Sequence, residues 1–269
     1  MPVVRSARVL RTPVLRPEHP ATGLTPFFFD DFSSPTLDDT KWWASGRPYK
    51  TGPDWMDSSY AGDDCRFLDS NVTIEDSRLV LACRNVPNVR AGVTKGFSGG
   101  MVTTAGLLAG APDSFRQRFA PPVRLDVSAK IPSGRGLWPV IWFMPVRNGW
   151  PPEIDVAEFL CQDPSKNYTT FHYDDGGHRQ INWRTSSFGD LSQAFHVYSV
   201  EWREESIKWF IDYAKVFETT SSFIPTEEMY LMLTCMVGHA TTYPGPPDEN
   251  TPFPSYFTVD WVRASTISA

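Results

Sequence analysis

Trp150-Pro151-Pro152-Glu153-Ile154-Asp155-Val156-Ala157-Glu158-Phe159 places three carboxylates within six residues of an otherwise apolar, strand-like run. Side chains of a regular strand alternate between faces, so Glu153 and Asp155 share one side and Ile154 and Val156 the other. Glu158 would then follow Ile154 into the core, where an unpaired carboxylate is costly to bury. One extra residue at Val156-Ala157, a β-bulge, returns Glu158 to the face of the other two acids. The stretch therefore predicts a bulged strand in a β-fold, with three acids along one groove. Crowded carboxylates repel, which raises at least one pKa. One ionised and one protonated carboxyl group facing each other is the equipment of retaining glycoside hydrolysis. The spacing alone leaves two plainer readings open, an exposed acidic strand face and a calcium site built from clustered carboxylates.

Working outward, Trp138, Val140, Trp142 and Met144 alternate onto one face of the preceding run, and Ile207, Trp209 and Ile211 alternate in a later one. Short β-type runs recur near 26–32, 72–75, 78–83, 99–104, 123–130, 138–144, 153–159, 168–173, 197–202, 207–212, 229–237 and 256–263. Gly, Pro, Asp and Asn separate them. No segment sustains helical periodicity beyond about a dozen residues, and Leu191 to Phe195 has the length of a single helical turn. A dozen short strands with almost no helix predict an all-β chain, an antiparallel β-sandwich of jelly-roll type. Residues 1–25, with several arginines and no clean period, predict a loosely attached N-terminal arm, leaving 26–269 as a single domain. The Pro/Gly-rich stretch 238–255 predicts a surface loop of the kind that borders binding sites.

Composition narrows the function classes. The chain has 269 residues, 41% of them hydrophobic and 21% charged, which suits a folded core and excludes wholesale disorder. No apolar run reaches the roughly 18–20 residues of a membrane helix. A net charge of −6 argues against nucleic acid or an anionic membrane as partner. Ten tryptophans within 14% aromatic residues suit a packed β core together with a sugar-stacking surface. Cys65, Cys83, Cys161 and Cys235 show no metal-binding spacing, and two disulfides, one or none all fit the sequence. Arg5, Arg8, Arg11 and Arg16 interrupt every apolar stretch at the start, so no signal peptide is visible in this chain.

The run Gly134-Arg135-Gly136-Leu137-Trp138-Pro139-Val140-Ile141-Trp142-Phe143-Met144-Pro145, followed by the acid strand, resembles glycoside hydrolase family 16, in its bulged Glu-x-Asp-x-x-Glu branch. The resemblance extends in order from Phe29-Asp30-Asp31-Phe32 and Leu37-Asp38 through the Asn71 to Leu81 hairpin. It continues with Thr170-Phe171-His172-Tyr173, Phe195 to Trp202, Ile207 to Asp212, and Val259 to Arg263. It implies a jelly-roll sandwich whose concave cleft holds an extended glycan. It implies Glu153 as nucleophile, ionised in the working state, Glu158 as protonated general acid/base, and Asp155 as the residue tuning the nucleophile. Trp138, Trp142 and Trp150 are the sugar-stacking candidates. His172 is a candidate for orienting a carboxylate or binding sugar hydroxyls, and Asn71 for reaching a donor-side sugar. A structural calcium near Asp31 and Asp260 is a further family implication, while catalysis itself needs no cofactor. Trp202, Trp209 and Trp261 are expected in the core, and His196 in a structural role.

The implied activity is that of a retaining endo-β-glycosidase cleaving a β-1,3- or mixed-linked glucan. Three departures from the β-1,3-glucanase pattern bear on specificity. Ser98-Gly99-Gly100-Met101 lacks an arginine, Pro152 replaces a glycine, and Asp212-Tyr213 replaces an Asp-Gly turn. A galactan therefore stays open as substrate. So do a transglycosylase on the same scaffold and a non-catalytic carbohydrate-binding module of a phage tail or adhesin. The expected setting is a monomer, extracellular, on a cell surface or on a virion, in contact with polysaccharide.

Overall fold

The computed structural model describes residues 23–44, 64–90, 92–105, 115–147 and 149–268. In chain order the strands begin with β1 (Leu24–Asp30), β2 (Trp43–Ala44), β3 (Cys65–Phe67), β4 (Val72–Glu75), β5 (Arg78–Cys83) and the small hairpin β6 (Asn88–Arg90) and β7 (Val93–Lys95). They continue with β8 (Phe97–Thr103), β9 (Val123–Lys130), β10 (Leu137–Pro145), β11 (Glu153–Glu158), β12 (Asn167–Asp174) and β13 (His178–Thr185). The last five are β14 (His196–Trp202), β15 (Ser206–Ile211), β16 (Ala214–Thr220), β17 (Met229–Val237) and β18 (Ser255–Ile267).

Two eight-stranded sheets pack face to face as an antiparallel jelly-roll sandwich. One runs β16-β15-β14-β9-β18-β5-β4, with β1 also pairing with β18. The other runs β13-β12-β11-β10-β17-β8-β2, with β3 joining β8 in parallel. Each strand expected from the sequence is found within a few residues of its predicted bounds. The exposed edge strands β13 and β16 were not expected, because polar side chains on both faces erase the alternation that marks a half-buried strand. Leu191 to Phe195 is a turn rather than a helix. The sandwich also begins earlier than the expected arm boundary. Leu24 and Thr25 already pair with Ile267 and Thr266 in β18, while residues 1–22 lie outside the described residues.

Alternation decides which side chains enter the core. Leu79, Leu81 and Cys83 of β5, Leu125, Val127 and Ala129 of β9, and Tyr198, Val200 and Trp202 of β14 fill it from one sheet. Leu137, Ile141 and Phe143 of β10, with Leu231, Leu233 and Cys235 of β17, fill it from the other. Trp202, Trp209 and Trp261 are buried, as expected.

Gly100 explains part of the unusual Ser98-Gly99-Gly100-Met101 run. A Cβ there would stand 2.6 Å from the Asn71 carbonyl oxygen and 3.1 Å from Leu81 Cα, so only glycine lets β8 lie this close to the other sheet. Gly100→Ala is expected to cost about 1–3 kcal/mol, the usual range for overpacking, because the blocking atoms are backbone. Thermal unfolding should register a Tm lower by several degrees. An unchanged Tm would mean that the sheets separate here at no cost.

Candidate active site

The acids of β11 are placed by the register of its neighbours. Against β12, Glu153 faces His172, Asp155 faces Thr170 and Glu158 faces Tyr168. Successive partners on β12 are two positions apart, yet Asp155 and Glu158 are three positions apart. Against β10, Trp142 faces Asp155 and Ile141 faces Ala157, so Val156 is the additional residue of the bulge. All three acids therefore project from the outer face of the sheet, while Ile154 and Ala157 pack inward. Trp209 reaches across the core and donates its indole N–H to the Asp155 carbonyl oxygen at 2.9 Å, beside the bulge. A core tryptophan thus fixes the backbone at the irregular point.

Burial and mutual repulsion dominate the electrostatics. Glu153 is pushed up to about 8, first by burial and then by the charge of Asp155, against the opposing pull of His172 and the Trp150 N–H. Glu158 is pushed up to about 7 by burial and the charge of Glu153, against the N–H that Trp138 donates to its Oε1 at 2.8 Å. Asp155 is held well above the usual carboxylate range by burial and by Glu158, and it accepts a hydrogen bond from Glu153. All three acids are thus raised together, which lets protonated carboxyl groups persist toward neutral pH. Asp155 stands against the charge of Glu153, whereas the Trp138 N–H stabilises that of Glu158.

The surrounding residues separate into those that line the cleft and those that brace it. Trp150 is 47% exposed and donates its indole N–H to Glu153, so an open aromatic face lies beside a carboxylate. Trp142 is half-buried in the floor opposite Asp155. Trp138 is only 6% exposed, which corrects its reading as a stacking platform: too little ring is open, and its N–H holds Glu158 instead. His172 lies on the cleft face, with Nε2 3.2 Å from Asp155 Oδ2 and Nδ1 2.9 Å from His178 Nε2. With its proton on Nε2, His172 donates to Asp155 and accepts from His178.

Asn71 does not line the cleft. It is buried, its side-chain amide donates to Ser98 Oγ and the Gly99 carbonyl, and its oxygen accepts from Arg84. The side chain is used up in joining β8 to the turn before β4, which corrects its reading as a sugar ligand. Among the described residues, Glu153, Asp155 and His172 are a set of possible metal-ligating side chains within 4.8 Å of one another, but they are engaged with each other. Asp31 accepts from the Ser33 backbone and hydroxyl, and Asp260 accepts from Arg78. The calcium implied near these two residues has no support in that pairing, since both carboxylates are met by the chain's own donors. His196 is structural, bonded to Asp212 at 2.7 Å.

Two contributors escaped the sequence reading. His178 packs against Trp150 with ring centroids 4.5 Å apart. The Asp174-Asp175-Gly176-Gly177 turn could have found it, since a tight turn there returns His178 to the strand opposite Asp174. Tyr243, in the expected loop 238–255, is 58% exposed and meets Tyr168 edge-on at 5.6 Å, beside Glu158. Burial, Tyr168 and Glu158 all hold its hydroxyl pKa up. Gly136 anchors this loop. With φ +76°, a Cβ there would stand 2.4 Å from the Pro247 nitrogen, and its carbonyl accepts from Gly238.

A β-sandwich carrying a bulged strand of three acids, flanked by an exposed tryptophan and histidine, has the layout of a carbohydrate-cleaving enzyme. The chain belongs to the glycosyl hydrolases family 16, whose model matches residues 64–263. It is 27% identical to the endo-1,3-1,4-beta-glycanase EglC of Rhizobium meliloti over 91% of this chain and 52% of that protein. It is 28% identical to the glucan endo-1,3-beta-glucosidase A1 of Niallia circulans over 92% of this chain and 39% of that protein. The chain thus spans about half, or less, of the length of these relatives. Among solved structures, the endo-beta-1,3-glucanase of Pyrococcus furiosus aligns with a TM-score of 0.76 at 26% identity, covering 91% of this chain and 95% of that one. No helix among the described residues is long and apolar enough to cross a membrane.

The raised carboxyl pKa values make stability fall with pH. Glu153 and Glu158 ionise near 4.5 in the unfolded chain and near 8 and 7 in the folded one. Between those values the native state binds more protons than the unfolded state, so unfolding free energy declines as pH rises. Glu153→Gln removes one such group and is expected to stabilise the protein by about 4 kcal/mol at pH 8, and by almost nothing at pH 4. Tm of parent and variant at the two pH values checks this. Equal Tm at pH 8 would show that Glu153 ionises freely.

Proposed function

We propose that the chain is a retaining endo-β-glucanase acting on β-1,3- or mixed β-1,3/1,4-linked glucan. The observation that carries the reading is the bulge at Val156, which sets Glu153, Asp155 and Glu158 side by side on the open face of the sheet. Two relatives, named an endo-1,3-1,4-beta-glycanase and a glucan endo-1,3-beta-glucosidase, support the substrate class.

In this mechanism Glu153 attacks the anomeric carbon while Glu158 gives its proton to the departing glycosidic oxygen. Glu158, now ionised, takes a proton from water, and that water releases the sugar from Glu153. The attack requires an ionised Glu153, although burial and Asp155 push its pKa up in the free cleft. Its hydrogen bond to Asp155 offers the route: shifting that one proton to Asp155 frees the nucleophile without moving a charge into solvent. His172, bonded to Asp155, orients the acceptor of that proton. Trp150 supplies a ring for the C–H face of a pyranose beside Glu153. The two carboxyl groups provide both nucleophile and proton, so the reaction needs no cofactor. A polysaccharide substrate places the work outside the cell, since such a polymer does not cross a membrane.

The test is reducing-sugar release from laminarin, lichenan, agarose and a galactan, with proton NMR of the first product. Laminarin and lichenan should be cleaved internally, with early loss of viscosity, and the new reducing end should appear first as the β-anomer. Glu158→Ala, given an activated glycoside and azide, should release a β-glycosyl azide, and Glu153→Ala the α-azide. A first α-anomer would refute retention, and swapped azide products would exchange the two roles. Cleavage of agarose or galactan alone would overturn the glucan assignment. Longer products from added acceptor would identify a transglycosylase, and binding without cleavage of any polymer would leave a carbohydrate-binding module.

A further inference from the structure

The four cysteines lie far apart in sequence but share one neighbourhood inside the sandwich. Cys65, Cys83, Cys161 and Cys235 are all buried, and no disulfide joins any two of them. The Sγ atoms of Cys83 and Cys235 are 3.1 Å apart. Cys65 Sγ accepts the Val237 N–H at 3.4 Å, two residues along β17 from Cys235. The Cys161 N–H bonds to the Leu137 carbonyl, and Leu137 pairs with Val237.

Cys83 belongs to β5 in one sheet and Cys235 to β17 in the other, and both side chains occupy core-facing positions. Backbone Cα atoms of β5 and β17 come within 8 Å of each other. Two adjacent glycines of β8 make the fit tight, Gly99 against its sheet neighbour β17 and Gly100 against β5 of the other sheet. A Cβ at Gly99 would stand 2.3 Å from the Cys235 carbonyl oxygen, and one at Gly100 3.1 Å from Leu81 Cα. The sheets therefore lie close at the level where the two thiols meet, and the sulfurs already touch at 3.1 Å.

We propose that Cys83 and Cys235 are a modification site: they form a disulfide that joins the two sheets when the chain folds in the presence of a disulfide oxidant. The thiolate of one cysteine attacks the oxidant's disulfide to give a mixed disulfide, and the other thiolate displaces the oxidant's remaining sulfur. Two protons and two electrons leave the cysteines, and the oxidant's disulfide becomes two thiols. Burial disfavours the thiolate of Cys83, so the exchange is slow in the folded protein. The bond closes while the sheets are still open, and once closed it is shielded from reductants by the same core. The link would span 152 residues of chain, a loop long enough for cross-linking to restrict the unfolded state strongly.

The test folds the full chain in two ways, in a mixture of oxidised and reduced glutathione and in excess dithiothreitol. Thiols are then alkylated in denaturant, and the unreduced digest is read by mass spectrometry. Oxidative folding should leave two alkylated thiols per chain in place of four and give a peptide linking Cys83 to Cys235. Tm should exceed that of the reduced protein by roughly 10 °C. In Cys83→Ala/Cys235→Ala the difference between the two preparations should vanish, and in Cys65→Ala/Cys161→Ala it should persist. Four free thiols after oxidative folding, or a linked peptide through Cys65 or Cys161, would overturn the proposal. Should the Cys83/Cys235 variant fail to fold, the thiol count and linked peptide of the parent protein decide it alone.

Discussion

One strand has to serve two incompatible solvents. The inner face of β11 must fill a core with Ile154 and Ala157, while its outer face must hold three carboxylates over a cleft. Strict alternation cannot give both with Glu158 three positions after Asp155. The residue at Val156 resolves the conflict by stepping out of register, at the cost of an interrupted ladder on both sides of the strand. Much of the surrounding packing answers that interruption. Trp209 comes from the opposite sheet to hold the Asp155 carbonyl, and β10 and β12 supply regular strands that fix where the acids point.

The same placement sets the electrostatics. Three acids held half out of water would repel each other apart unless protons or donors intervened. The chain supplies both: Trp138 and Trp150 aim indole N–H groups at Glu158 and Glu153, and a proton sits between Glu153 and Asp155. These arrangements oppose stability near neutral pH and prepare the cleft for proton transfer, a trade common at reactive sites. His172 and His178 extend the network from the buried Asp155 to the exposed edge strand.

Close backbone approaches carry the rest of the architecture. Gly136 lets the loop around Pro246 and Pro247 settle against the turn before β10, which brings Tyr243 to the cleft beside Glu158. Gly100 does the same between sheets, where Asn71 and Arg84 tie β8 to its neighbours and the thiols of Cys83 and Cys235 meet. The tight Asp212-Tyr213 turn keeps its shape with both residues at positive φ, and Asp212 braces His196 and the Val197 N–H.

Local pattern was enough to identify the β class, the approximate bounds of the central strands, and the bulge that gathers Glu153, Asp155 and Glu158. Each of these rests on period-two alternation or on the cost of a misplaced charge, and neighbouring residues in the chain carry both. Edge strands β13 and β16 lacked that signal because most of their side chains are exposed and only a few, such as Ile181, Val216 and Phe217, pack against the core. The state of individual side chains depended on contacts between residues far apart in sequence. Trp138 and Trp142 share one alternating face, yet Glu158 and close packing leave the first almost covered while the second stays half-open. Asn71 read as a sugar ligand until Ser98, Gly99 and Arg84 were seen to consume its amide, and His178 gained meaning only when the hairpin set it against Trp150. Which acid holds the proton is likewise a tertiary property, since burial and the distances between charges set it.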